Sequence, residues 1–141
     1  MALLLGIGNT LRGDDGVGPR VMELLAERTG SSRLMSVQCL LPELAADIAL
    51  SSRVVFVDAD VQVQAVTLER LSEAAGQSAG HSWSPAMLVM LAQALGFSGD
   101  AWLCRIPVAT CDHGEGLSTK AEDAAQAAAA MLLGMLVGQN A

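Results

Sequence analysis

The 141-residue chain predicts an α/β fold: a single three-layer domain over 1–141, with a twisted, mostly parallel sheet and helices on both faces. Three observations carry that expectation. Runs such as Ala2–Leu5 and Val54–Val57 are continuously apolar, as strands covered on both faces are. Between the strands lie segments with apolar residues at helical spacing. Serine and proline mark where helices begin, and strands separated by helices build parallel sheets.

The elements follow in order. Ala2–Ile7 is the first strand, and a helix from about Val17 to Arg28 repeats Val17, Val21, Leu24 and Leu25 on one face. Leu34–Leu41 reads as the second strand, with Pro42 at the start of a helix that continues from Glu43 through Ile48. Arg53–Val57 is a buried strand that ends in Asp58, and Ala65–Glu69 is a short strand after a polar turn. Ser72–Ser82 is small, polar and glycine-containing, hence a loop. Ser84 caps a helix reaching Leu95, with Pro85 at its first position. Trp102–Val108 is the last strand, and Ser118 caps a terminal helix that includes the alanine-rich Ala124–Val137.

Composition narrows the function classes. The chain is 52 % hydrophobic, with a mean hydropathy of +0.42, yet no apolar run approaches the ~18 residues of a membrane span. Ala2–Leu5 lacks the basic flank of a signal peptide, so a cytoplasmic location without membrane insertion is expected. A net charge of −7 and the lack of a Lys/Arg cluster argue against nucleic acid as partner. Three cysteines without C-x-x-C spacing form neither a disulfide framework nor a zinc knot. Cys39 and Cys104 read as small core residues, whereas Cys111 adjoins Asp112 and His113.

The loop after the first strand is the most informative segment. Gly6-Ile7-Gly8-Asn9-Thr10-Leu11-Arg12-Gly13-Asp14-Asp15-Gly16-Val17-Gly18 joins closely spaced glycines to two adjacent carboxylates ahead of a helix. Glycine permits close backbone approach, and the carboxyl ends of strands are where open α/β sheets bind ligands. A dinucleotide fingerprint fails because Leu11 stands where its last glycine belongs, and because acids would repel pyrophosphate. A cation, or a cationic complex, suits Asp14 and Asp15 better. One of the two could cap the helix, but a cap does not explain the pair.

Two more polar residues fall where strands end. Asp58 follows Val54-Val55-Phe56-Val57, and a carboxylate there is costly to desolvate unless it is paired or binds a cation. Taken alone, Asp58 reads better as a residue that caps or turns the loop, and His81 as a polar surface residue. Asp15, Asp58 and His81 together could converge at one end of the sheet as donors to a divalent transition metal.

An ordered set of motifs resembles the hydrogenase maturation endopeptidases, which trim the large subunit of nickel–iron hydrogenases. The set begins with Leu5-Gly6-Ile7-Gly8-Asn9 and Gly13-Asp14-Asp15-Gly16-Val17-Gly18, followed by Gln38-x-x-x-Pro42-Glu43-Leu44. It continues through Val55-Phe56-Val57-Asp58-Ala59, His81-x-x-Ser84-Pro85 and Gly114-Glu115-Gly116-Leu117-Ser118. The resemblance implies an α/β fold and a metal-binding trio of Asp15, Asp58 and His81. The first of these can be glutamate in the family and is one methylene shorter here; His113 is the only alternative histidine. It further implies that Asp15 and Asp58 are catalytic and that Gly8, Asn9, Asp14 and Gly16 receive the substrate. That substrate is a large-subunit precursor already loaded with nickel, for which cadmium or zinc could stand in, and cleavage removes a C-terminal extension. No serine- or cysteine-protease constellation competes with this expectation.

Overall fold

Leu3, Leu5 and Ile7 point to one side of the first strand, and Ala2 and Leu4 to the other; all five are buried. That strand is interior to the sheet because water-free surfaces on both faces suit only aliphatic side chains. The computed structural model of the chain describes residues 1–71, 83–109 and 114–139. Within them, the strands are β1 (Ala2–Ile7), β2 (Arg33–Val37), β3 (Arg53–Asp60), β4 (Thr67–Arg70) and β5 (Asp100–Pro107). The helices are α1 (Val17–Ala26), α2 (Leu44–Ala49), α3 (Pro85–Ala94) and α4 (Thr119–Gln139), and a 3-10 turn over Gly13–Gly16 leads into α1.

The sheet order is β2-β1-β3-β5-β4. Every neighbouring pair is parallel except β4, which runs antiparallel along the edge of β5. Two apolar layers sandwich it. Leu4, Val55 and Val57 pack beneath residues of α1 and α4, including the buried stripe Ala121, Ala124, Ala125, Ala128, Ala129 and Leu132. Leu3, Leu5, Val54 and Phe56 face Leu44 and Ile48 of α2 and Leu88 and Ala92 of α3. The expected architecture is therefore present, and the alanines of α4 let that helix lie close to its neighbours. No helix among the described residues is long and apolar enough to cross a membrane.

Local chemistry explains the boundaries. The Ser84 hydroxyl accepts the Met87 N–H at 3.1 Å with Pro85 in the first turn, so α3 begins as its sequence indicates. Three differences from expectation bear on the site. The second strand ends at Val37 rather than Leu41, because the register with β1 runs out at Ile7. The following residues turn instead, with the Ala45 N–H donating to the Pro42 carbonyl at 3.0 Å, and α2 starts at Leu44. Cys39, expected in the core, is consequently exposed, while Cys104 is buried and its thiol pushed up to about 12 by desolvation. At the first helix, neither aspartate is the cap: both lie in the 3-10 turn, and Gly16 precedes α1.

Candidate functional site

Strand order places a crevice at the carboxyl ends of β1 and β3. From β1 the chain crosses to β2 on one side, then returns past β1 to β3 on the other. Loops leaving β1 and β3 thus diverge, and open α/β sheets bind their ligands where strand order reverses. A cleft of about 460 Å³ opens there, with Asp15 and Asp58 both in its lining. Its other walls are mainly apolar: Ile7, Leu40 and Leu41 on one side, Trp83 and Pro85 at the start of α3 on another.

Each acid is held by its own element. Asp58 belongs to β3, and its Oδ1 accepts the Ala59 N–H at 2.8 Å. Asp15 belongs to the 3-10 turn, and its Oδ2 accepts the Asn9 N–H at 2.7 Å. The turn is tightly folded: Gly8 has φ of 151°, and a Cβ there would overlap the Asp15 carbonyl, so glycine is required. The Gly8 N–H donates to the Val37 carbonyl at 2.9 Å, anchoring the loop to the end of β2.

Two acids share the cleft, and burial acts on Asp58. Burial raises the Asp58 carboxyl to about 6; the Ala59 N–H opposes that rise, and the nearby Asp15 and Asp60 charges add to it. Two carboxylates sharing a partly desolvated cleft are relieved by a proton or by a cation. Carboxylate oxygens suit a divalent ion, and an added imidazole extends the set to nickel or zinc. Among the described residues, no three His, Cys, Asp or Glu side chains gather into a metal-binding cluster. His81, the expected third donor, and its alternative His113 lie outside the described residues, as does Cys111.

The remaining expected residues are distributed more widely. Gly8 lines the acidic cleft. Asn9 holds Asp15 through its backbone, and its side-chain oxygen accepts the Leu11 N–H at 2.9 Å. Gly16 borders a second hollow of about 330 Å³ on the other side of the loop, beside Arg20 and Glu122. Asp14 is turned inward and is 1 % exposed. Gln38, Cys39, Leu40, Leu41 and Trp83 also line the cleft and were not expected there. The first four were read as strand; the signal that could have relocated them is the polar Gln38 followed by Pro42, which stops a ladder.

The fold defined by this geometry is that of the hydrogenase maturation endopeptidases. The hydrogenase maturating endopeptidase HybD from E. coli superposes with a TM-score of 0.81 at 21 % identity, covering 98 % of this chain and 93 % of that one. The [NiFe] hydrogenase maturation protease HycI from Thermococcus kodakarensis gives 0.73 at 21 % identity, over 93 % and 88 % of the two chains. The hydrogenase 2 maturation peptidase from a Thaumarchaeota archaeon gives 0.70 at 24 % identity, over 96 % and 97 %. No protein-family model and no curated protein sequence matches the chain. At such identities the likeness is one of fold, and the site must carry the functional reading.

Proposed function

We propose that this chain is a hydrogenase maturation endopeptidase, which removes the C-terminal extension of a nickel-loaded large-subunit precursor. The observation that carries the reading is the convergence of Asp15 and Asp58 in one cleft at the carboxyl ends of β1 and β3, in a fold shared with proteins of that name. Nickel enters as part of the substrate. The two carboxylates, with His81 as third donor, engage it and so make metal occupancy the condition for cleavage. The attacking water is activated by the metal or by a carboxylate. Gly8 lets the loop pass close to the precursor tail, and the apolar walls shield the scissile segment from bulk water.

The test is incubation with a large-subunit precursor, with and without nickel, followed by mass spectrometry of the released tail. A nickel-dependent cut is expected, and Asp15→Ala or Asp58→Ala is expected to abolish it in a folded protein. Normal processing by Asp58→Ala would remove the assignment of the site. Stable nickel-dependent binding without a cut would identify a sensing chaperone instead.

A further inference from the structure

Asp14, although adjacent to Asp15, turns to residues from the last third of the chain. Its Oδ2 accepts the Ala109 N–H at 2.8 Å and the Ser118 hydroxyl at 2.7 Å, and its Oδ1 accepts the Ser118 N–H at 2.7 Å. Ala109 lies just beyond β5, and Ser118 just before α4. The Ser118 hydroxyl also accepts the Ala121 N–H at 3.2 Å as the first turn of α4 forms, so its proton is committed to Asp14. These contacts present three donors to one short side chain, which a carboxylate, an acceptor only, satisfies. An asparagine of the same size would turn an N–H toward at least one of them.

The same loop is pinned a second time. The Gly13 N–H donates to the Gly114 carbonyl at 2.7 Å, and the Gly114 N–H donates to the Leu11 carbonyl at 3.0 Å. Asp58 rides on β3 in the middle of the sheet, whereas Asp15 rides on this loop. The separation of the two cleft carboxylates therefore depends on how the loop is seated against the segments that follow β5 and precede α4.

We infer that Asp14 is a positioning residue, which with Ser118 clamps the 3-10 turn and sets where Asp15 stands relative to Asp58. The inference rests on the reading of the cleft as a cation site. It assigns Asp14 an indirect role, through Asp15, rather than contact with substrate.

The test is cadmium titration by calorimetry on the full chain, together with the NMR signal of the Asn9 amide, whose N–H is bound by Asp15. All variants are compared below their unfolding temperatures. Asp14→Asn should weaken cadmium binding about 10- to 100-fold, as loss of a buried partner behind a ligand does, and should shift the Asn9 amide. Ser118→Ala should weaken binding less, and Ser118→Thr, which keeps the hydroxyl, should restore it. Cadmium affinity and an Asn9 signal unchanged in a folded Asp14→Asn protein would overturn the inference; if that variant does not fold, the same result in Ser118→Ala would do so. Absence of cadmium binding by the wild-type chain would overturn the cation-site reading instead, and the Asn9 amide would then decide the positioning role by itself.

Discussion

Asp58 lies two residues before the end of β3, with one oxygen on a backbone N–H and a second acid nearby, and the fold bears a cost for keeping it there. Its carboxyl is raised from the usual 3.8 to about 6, chiefly by desolvation. Between those values the folded chain retains a proton that the unfolded chain has lost, so this group's contribution to stability falls as pH rises from about 4 to 6. Asp58→Asn should therefore stabilise the domain at pH 7 by about 2–3 kcal/mol, with the gain vanishing near pH 4. Chemical denaturation of both proteins from pH 4 to 7.5 checks this, and a gain independent of pH would exclude the carboxylate as its origin. Divalent cations should in turn bind more tightly above pH 6, where no proton competes. The presence of an acid pair was legible in the sequence. Which of the two neighbours faces the cleft was not, because a 3-10 turn sends adjacent side chains in different directions.

At the scale of elements, the site depends on how closely α1 lies on the sheet. A Cβ on Gly18 would stand 2.5 Å from the Ile7 carbonyl oxygen and 2.8 Å from the Val57 carbonyl oxygen. Backbone, not a flexible side chain, is in the way on both strands. Gly18→Ala should cost about 3 kcal/mol through overpacking and lift α1 from β1 and β3, which a lowered midpoint in thermal unfolding would reveal. A midpoint equal to wild type would mean that the helix is not fixed at that distance. Helix starts were readable wherever a cap and a proline stand together, as at Ser84-Pro85. The end of β2 was harder to read: Cys39–Leu41 is as apolar as a strand, only Gln38 and Pro42 mark the break, and the ladder stops where β1 offers no further partner.

Across the whole molecule, a charged pair ties β3 to β5 at the end of the sheet remote from the cleft. Arg53 and Asp100 face each other in the parallel register, with two N–H···O contacts of 2.6 and 2.9 Å and the guanidinium over Trp102. The hydrogen bond from Arg53 holds the Asp100 carboxyl below its ordinary range. A depressed carboxyl stabilises the fold above its unfolded pKa, and that contribution is lost as pH falls through the folded value. Arg53→Met should cost about 2 kcal/mol at pH 7, between the values for exposed and buried pairs. The difference from wild type should shrink below pH 4, as denaturation midpoints across that range would show. If the chain is the endopeptidase proposed above, cleavage should persist in this variant, because the pair lies at the other end of β3 from Asp58.

The sequence by itself determined the fold class, the apolar strands, the capped helices and the acids that end up at strand termini, because these follow from short-range rules: continuous burial, helical period and capping. Only the tertiary structure decided that Asp15 and Asp58 share a cleft while Asp14 turns inward to residues 95 and 104 positions away. Strand order and loop seating are products of contacts distant in the chain, and no local pattern of residues encodes the distance between a side chain on a loop and one on a strand of the sheet.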